Sequence, residues 1–338
     1  MQKLFRFLSY TTLVSTFLVI LAGSIVRTTQ SGMGCPDWPK CFGYYIPPTE
    51  DSQVRFEAGR TYTKGMMVIE FDTLWSAKSK ITASGEFNRS EWEKYPKHDY
   101  SDFVVEQTWI EYINRLLGAL LGIFVFGMFV SSFSYRKTKP ILILLSFALV
   151  FVTGFQAWLG KLVVDGNLIP QSISIHMLGA LILLVLAQIV INKLNQAERY
   201  KTNKQVQTFA YIAVLASLIQ ILIGTQVREE IDVIAKTLGY DMRAAWVDEL
   251  SSTFMIHRAF SLILAVASGY VIYLGMNAKN RGFYRLSILA MVVLGIELIA
   301  GIILGFAGMP AFFQPIHLLL ATMLFWVMFA LASRKLIG

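Results

Sequence analysis

Eight long apolar stretches dominate this chain and restrict what it can fold into. A helix needs about 20 mostly apolar residues to cross a bilayer. Stretches of that kind lie at roughly residues 7–28, 109–132, 140–161, 173–193, 207–227, 253–275, 286–307 and 314–333. Stretches of this length favour helices, whose backbone hydrogen bonds are satisfied internally in hydrocarbon. With 55% hydrophobic and only 15% charged residues, the sequence predicts an all-α membrane protein with eight transmembrane helices.

Basic residues cluster between the stretches and predict the orientation of the chain. The clusters are Lys3 and Arg6; Arg136, Lys137 and Lys139; Lys193, Arg199, Lys201 and Lys204; Lys279, Arg281 and Arg285; and Arg334 and Lys335. The opposite loops, 162–172 and 308–313, contain no Lys or Arg. Because cytoplasmic loops are enriched in these residues, both termini are predicted to be cytoplasmic. The net charge of +8 thus follows from topology, and no basic, aromatic-rich patch indicates nucleic-acid binding.

The first apolar run is longer than the core of a signal peptide and lacks a small-residue cleavage site. We also expect no mitochondrial presequence, because residues 1–6 are neither Arg-rich nor Ser-rich. We therefore expect the first run to be retained as a transmembrane helix, and we expect the protein to lie in a bacterial inner membrane.

The second half of the chain repeats the first. Three residue pairs recur with identical spacing, namely Gly154 and Gly295, Gly160 and Gly301, and His176 and His317. Two motifs also recur, LAGSIVR (21–27) as LIGTQVR (222–228) and INRLL (113–117) as IHRAF (256–260). Four spans per half return the chain to its starting side, so the halves share an orientation. We predict two four-helix bundles, residues 1–195 and 206–338, related by a pseudo-two-fold axis along the membrane normal.

Two glycine pairs have the spacing that lets membrane helices approach closely. They are Gly118 with Gly122, and Gly301 with Gly305. We expect close helix contacts at both.

The halves differ most in the segment after the first span of each. In the first half it covers about residues 29–107, whereas its counterpart covers about 228–252. The longer segment is rich in Pro, Gly, Ser and charge, and at this length a structureless loop is unusual. It is predicted to form an external cap with short helices, one of them at SEWEKY (90–95).

Three histidines, His176, His257 and His317, lie inside the apolar stretches. Polar rings inside a membrane are costly and usually functional, and imidazole is a common axial ligand of haem iron. Two imidazoles on facing helices of a bundle can hold a haem between them. His257 and His317 are therefore a predicted haem or metal site, with a structural role as the alternative. The fourth histidine, His98, is predicted to be solvated in the cap.

In the first half, the repeat places Asn114 where a second histidine is expected. Because Asn is a weak ligand for haem iron, a haem there would have His176 as its strong ligand and an open or labile position opposite. Such a position suits substrate chemistry better than electron transfer. The alternative is that the first half has lost its site.

Glu111 lies one helical turn before Asn114 and Arg115, so all three share a helix face. Its counterpart in the second half is Phe254. An acid or base present in only one half predicts that the reaction occurs there. The alternative is a carboxylate that is paired with Arg115 for structural reasons.

Several further residues are candidates for binding or redox roles. Arg27 and Arg228 end equivalent spans, where arginines snorkel to the interface or bind haem propionates. Glu297, equivalent to Gln156, should have a hydrogen-bond partner in its span.

Cys35 and Cys41, in GCPDWPKC, follow the first span. Two cysteines at this spacing, on a side of the membrane predicted to be oxidising, can close a small disulfide loop. A structural disulfide and a redox-active pair both remain open.

Together these segments resemble the haem A synthase family. The resemblance covers nearly the whole chain and rests on GSIVRTTQSGMGCPDWPKC (23–41), EYINRLLG (111–118), IHMLGA at His176, IHR (256–258) and His317. It implies two four-helix halves and an oxidoreductase that converts the C8 methyl group of haem O to the formyl group of haem A, for assembly of a haem–copper oxidase.

The resemblance also implies roles for individual residues. Haem b would lie between His257 and His317, with Arg228 and Arg258 as further binding residues. The substrate haem would be bound by His176, Asn114, Arg115 and Arg27, and the catalytic positions would be Glu111, Cys35 and Cys41. Asn114 departs from the family pattern, which has histidine there.

The resemblance implies haem O as the substrate. Candidate partners are haem O synthase, a quinone or other electron acceptor, and a second copy of the chain. Two other classes explain part of the pattern. A di-haem, quinol-linked electron-transfer protein explains the histidines but not Glu111. A haem-handling transporter or chaperone explains the repeat and tolerates a missing ligand.

Overall fold

The computed structural model describes residues 1–96, 102–165, 170–195, 204–278 and 280–333. Its long helices are α1 (Gln2–Thr28), α2 (Val105–Ser132), α3 (Ile141–Asp165), α4 (Pro170–Leu194), α5 (Lys204–Leu238), α6 (Ser252–Met276), α7 (Arg281–Phe306) and α8 (Phe313–Ala332). Within the described ranges, these eight helices are long and apolar enough to cross a membrane. The multi-pass helical fold is thus confirmed. The residues outside the description include His98, Arg199, Lys201, Lys279, Arg334, Lys335 and part of the loop 162–172.

One helix is much longer than the sequence predicted. The fifth span was expected to end near residue 227, but α5 continues to Leu238. In this extension Ile231 and Ala235 are buried on one face and pack with Trp246 and Leu304. Because the extension is amphipathic rather than uniformly apolar, a search for apolar runs does not detect it.

The chain divides into two compact units. One unit comprises Met1–Ser24, Leu120–Gln156 and Ser174–Gly338, and the other comprises Ile25–Ala119 and Ala157–Ile173. The larger unit therefore contains α5 to α8 with parts of α1 to α4, and the smaller contains the cap and the adjoining ends of helices.

In the larger unit, α5 packs against α6 and α8, and α7 packs against the same two helices. Small buried residues on α5, Ala210, Ala213 and Ser217, allow this close approach, which dispersion forces favour in a membrane. A second buried cluster contains residues of α1, α2, α3 and α4. A third contains residues of α1, α4, α5 and α8. The division at residues 195–206 and the pseudo-two-fold axis stay predictions.

The smaller unit has β-structure that the sequence did not predict. Its strands are β1 (Thr61–Tyr62), β2 (Met67–Glu70), β3 (Thr73–Ala77), β4 (Ile81–Thr82) and β5 (Trp92–Lys94). They form an antiparallel β2–β3–β5 sheet and a separate β1–β4 pair. One buried cluster of the cap includes both cysteines and Phe42, and a second is built around Tyr62 and Trp92.

The predicted helix at 90–95 is wrong. Arg89–Glu91 forms a single 3-10 turn, and Trp92–Lys94 is the strand β5, which pairs with β3. Trp92 is only 1% exposed and contacts the rings of Phe56, Tyr62 and Phe87. An isolated helix of this length is marginal, whereas the strand buries the indole and leaves Glu93 and Lys94 exposed.

The burial of Trp92 predicts that it stabilises the cap. Trp92→Ala should lower the free energy of unfolding of the cap by about 3–5 kcal/mol, the usual cost of removing a buried aromatic side chain. Limited proteolysis of the purified protein across a temperature series would measure the loss. Ile46→Ala is the control, because Ile46 is 71% exposed, and equal protease sensitivity of the two variants would contradict the prediction.

Candidate functional site

The structure brings His257 and His317 together in the larger unit. His257 lies near the start of α6 and His317 near the start of α8. Their ring centroids are 6.3 Å apart, and the ring planes meet at 74°. The repeat predicted that these residues form a pair, and the geometry places them side by side.

Each of these histidines faces a glycine on a neighbouring helix. A Cβ atom on Gly224 of α5 would lie 3.1 Å from Cε1 of His257, and one on Gly301 of α7 would lie 3.3 Å from Cε1 of His317. Both distances are tighter than ordinary contact, so the missing side chains make room for the imidazoles. The role of Gly301 is therefore to seat a histidine.

The other predicted glycine contacts have mixed outcomes. A Cβ on Gly305 would lie 3.7 Å from the ring of Phe254, which is ordinary packing. At Gly118 and Gly122 a Cβ would meet no heavy atom within 4 Å in the described part of the chain. The close contacts predicted at those two positions are wrong, because spacing alone does not show whether a neighbouring helix lies opposite.

Polar residues on α5 and α7 contact the two imidazoles. Nε2 of Gln220 lies 3.2 Å from Nδ1 and 3.4 Å from Nε2 of His257, and it donates to the His257 carbonyl oxygen at 3.0 Å. On the other side, Oε1 of Glu297 lies 3.1 Å from Nδ1 of His317. Glu297 thus has a polar contact inside the membrane, although the contact is not an aligned hydrogen bond among the described residues. Gln220 was missed, although its position one turn before Gly224 marks it as facing the same histidine.

The separation of the two imidazoles would allow both to be ligands of one haem iron. Metal–imidazole bonds are about 2 Å long, so two such bonds and the inner half of each ring account for a centroid separation near 6.3 Å. Phe260 and Ile316, which are close in sequence to the two histidines, pack against the apolar cluster of α5 to α8. Imidazole nitrogen donors in an apolar helical bundle suit haem.

The two arginines near this pair have other partners in the structure. Arg228 donates to Oε1 of Gln314 at 2.7 Å and forms an ion pair with Asp232 at 2.7 Å. The guanidinium of Arg258 lies 5.6 Å from the ring of Phe254 and 5.3 Å from that of Phe306. Their binding of haem propionates stays a prediction.

In the smaller unit, Glu111 and Arg115 of α2 hold the cysteine-containing loop. Cys35 and Cys41 form a disulfide. The backbone amide of Cys35 donates to Oε2 of Glu111 at 2.9 Å, and Oε1 accepts from Nε of Arg115 at 3.1 Å. Arg115 also donates to the carbonyl oxygens of Cys35, Asp37 and Lys40 at 2.7–3.1 Å. The predicted neutralisation of Glu111 by Arg115 is present, and the same arginine fastens the disulfide loop.

Thr108 and Gly34 extend this contact and were missed by sequence reasoning. Oγ1 of Thr108 donates to the carbonyl oxygen of Gly34 at 2.8 Å. A Cβ on Gly34 would lie 2.6 Å from the backbone of Gln107, so only glycine allows the loop to approach α2 this closely. The signal was the spacing of Thr108, Glu111 and Arg115, which places all three on one helix face.

Asp37 is a buried carboxylate inside the disulfide loop. Its Oδ2 accepts from the backbone amide of Gly43 at 3.0 Å, and its Oδ1 is buried with no hydrogen-bond partner among the described residues. Burial raises the pKa of Asp37 above its ordinary value of 3.8, although the Gly43 hydrogen bond and the charge of Arg115 oppose the shift.

The remaining predicted residues are divided between the units. Asn114, Arg115 and Arg27 belong to the smaller unit and His176 to the larger. Oδ1 of Asn114 and Nδ1 of His176 are each buried, and neither has a hydrogen-bond partner within the described ranges. That these four residues bind one substrate haem stays a prediction.

The fold and the histidine pair define a multi-pass helical membrane protein with a two-histidine site inside a bundle. The chain belongs to a family of cytochrome oxidase assembly proteins, whose model matches residues 6–83 and 77–329.

Several relatives are named haem A synthase. One from Shewanella oneidensis is 27% identical over 243 residues, which cover 71% of this chain and 62% of the relative. One from Ehrlichia canis is 24% identical over 340 residues, which cover 92% of this chain and 87% of the relative. One from Geobacillus thermodenitrificans is 34% identical over 70 residues, which cover 20% of this chain and 22% of the relative. The chain thus spans less than two thirds of the length of the Shewanella and Geobacillus relatives.

The glycine opposite His317 gives a test of the haem assignment. Gly301→Val should displace the imidazole and lower the haem content of the purified protein on the order of tenfold, as for other changes to the support of a metal ligand. Gly295→Val is a matched control on the same helix, because a Cβ there meets no heavy atom within 4 Å in the described structure. Equal absorbance of bound haem in both variants would contradict this assignment.

The buried Asp37 predicts how cap stability depends on pH. Because its pKa is raised on folding, its contribution is greatest below the ordinary value and is lost as pH rises through the raised value. Asp37→Asn should abolish this dependence while keeping an acceptor for Gly43. Asp37→Ala loses that acceptor and should be about 1–3 kcal/mol less stable than Asp37→Asn. Protease resistance of the cap across a pH series would measure both effects, and an unchanged pH profile in Asp37→Asn would refute the first.

Proposed function

We propose that this chain has haem A synthase activity and oxidises the C8 methyl group of haem O to a formyl group, for assembly of a haem–copper terminal oxidase. The observation that carries the proposal is the family match from residue 6 to residue 329, together with relatives that bear this name. The membrane-spanning helices and the histidine pair are consistent with a reaction on a haem.

The proposed resident cofactor is haem b, with His257 and His317 as its iron ligands. When bound, haem b supplies one-electron transfer. The 6.3 Å separation of the rings supports this assignment, as do the glycines that seat them. Arg228 and Arg258 are proposed to interact with its propionates, which would require Arg228 to exchange or share its present partners, Gln314 and Asp232.

For the substrate haem, we propose His176 as the iron ligand, with Asn114, Arg115 and Arg27 as further binding residues. His176 has no hydrogen-bond partner for Nδ1 within the described chain. Asn114 replaces the histidine that the repeat would place there, so the iron would have one strong protein ligand. Bis-imidazole spectra from both haems would refute this arrangement.

Glu111 is proposed as the group that takes up or releases protons. With an oxygen atom from water, conversion of a methyl to a formyl group releases four electrons and four protons, which an electron acceptor and a base must take up. Glu111 is 3% exposed and its charge is compensated by Arg115 and by the amide of Cys35. Proton transfer at Glu111 would therefore disturb the contacts of the disulfide loop.

Cys35 and Cys41 are proposed as a redox-active pair. Each reduction of a disulfide takes up two electrons and two protons, so two reductions would match one conversion. A quinone is the other candidate electron acceptor. The proposed setting is a bacterial inner membrane with cytoplasmic termini and an external cap. Haem O synthase and a second copy of the chain are proposed partners.

Pigment extraction after co-expression with a source of haem O tests the activity. Haem A or its hydroxylated intermediate in the extract is the expected result. Haem b alone would favour a di-haem electron-transfer protein, and no haem would favour a transporter or chaperone.

The same assay tests Glu111. Glu111→Gln should reduce conversion by at least about 100-fold, the lower range for loss of a general acid or base, while the haem b spectrum is unchanged. Glu106→Gln is the control, since it makes the same charge change on an exposed position of the same helix. Loss of haem b together with conversion would mean that Glu111 is structural.

A further inference from the structure

We propose that Glu297 is a positioning residue for His317. Its carboxylate accepts a hydrogen bond from Nδ1–H of the imidazole, so that Nε2 is presented to the haem iron. The inference rests on the haem b site proposed above. It assigns a role to the intramembrane carboxylate that the sequence left unexplained.

The first support is the position of the two side chains. Oε1 of Glu297 lies 3.1 Å from Nδ1 of His317, and α7 and α8 pack directly against each other. Nδ1 of His317 is buried and makes no aligned hydrogen bond with any described residue. At 3.1 Å, a small rotation of the ring or the carboxylate aligns N–H with oxygen. Oε2 of Glu297 is also buried without a hydrogen-bond partner in the described structure. The contact of Oε1 with His317 is therefore the polar contact that the described residues give to this carboxylate.

The second support is that one face of α7 constrains two edges of the ring. Glu297 and Gly301 are one helical turn apart and lie on the same face. Gly301 receives Cε1 of His317, and Glu297 lies against Nδ1. With these two atoms against α7, Nε2 is the nitrogen left for a metal. A neutral imidazole has one donor and one acceptor nitrogen, and the hydrogen bond made by one sets the role of the other.

The third support is the contrast between Glu297 and the residues that face or match the other histidines. The partner of His257 is the amide of Gln220, which carries no charge. In the first half, the repeat equivalent of Glu297 is Gln156, which is buried with Nε2 lacking a hydrogen bond to any described residue. Among the described residues, His317 is therefore the membrane histidine with a carboxylate at its Nδ1, and it should be a stronger electron donor to iron than His257.

The experiment compares Glu297→Gln and Glu297→Leu in the full-length purified protein. Haem content is measured by absorbance, axial ligation by electron paramagnetic resonance, and the midpoint potential of the bound haem by redox titration. Glu230→Gln is the matched control. It makes the same chemical change in the same unit, at a carboxylate that bonds Ser251 instead of a histidine.

Glu297→Leu removes the acceptor and should weaken haem retention about 10- to 100-fold, as for other losses of a partner of a metal-bound histidine. Glu297→Gln keeps an acceptor oxygen and should retain haem. Its midpoint potential should rise, because a neutral acceptor increases the basicity of His317 less than a carboxylate does. Glu230→Gln should match the unsubstituted protein in all three measurements.

Several results would overturn the inference, and they differ in what else they refute. Haem bound by Glu297→Gln with an unchanged potential, or by Glu297→Leu with unchanged retention, would show that Glu297 does not act on His317. Absence of haem from the unsubstituted protein would refute the proposed haem b site and this inference with it. A potential that shifts equally in Glu230→Gln would assign the effect to net charge, which also contradicts a positioning role.

Discussion

The absence of water in a bilayer makes a polar side chain in the spans costly unless it finds a partner inside the protein. Several hydroxyl side chains find such a partner locally. Ser9, Thr16, Ser146 and Ser217 each donate to the carbonyl oxygen one turn earlier in their helix. For His257, His317 and Glu297, by contrast, the polar contact comes from a side chain on another helix. This constraint explains why the polar residues of the spans converge on a few sites.

The same constraint determines how much of the fold can be predicted from the sequence. The eight spans are predictable because an apolar run of membrane length has few alternatives. The end of α5 and the cap are not, because water satisfies backbone groups there and tertiary contacts decide the structure. At residues 90–95 the choice between helix and strand depends on Trp92, whose ring partners Phe56, Tyr62 and Phe87 lie in separate parts of the cap segment.

The candidate site shows a similar division. His257, His317 and Glu111 stand out in the sequence because each is unusual in its surroundings. Gln220, Thr108 and Gly34 do not, since their importance lies in contacts across elements. Arg115 was identified from its spacing to Glu111, yet no spacing rule indicates that it also donates to three carbonyl oxygens of the disulfide loop. Local sequence therefore finds the chemically unusual residues, and tertiary structure identifies what holds them.

The two halves of the repeat differ in where each carries its carboxylate. In the first half, Glu111 has its counterpart in Phe254, and in the second half Glu297 has its counterpart in Gln156. Glu111 contacts an arginine and a backbone amide at the disulfide loop, whereas Glu297 contacts a histidine. A carboxylate behind a metal ligand favours a permanently bound group, because it orients the ligand and raises its basicity. A histidine with only a neutral amide at the equivalent position suits a group that must enter and leave. We therefore expect the two carboxylates, each present in only one half of the repeat, to give the two proposed sites their different character.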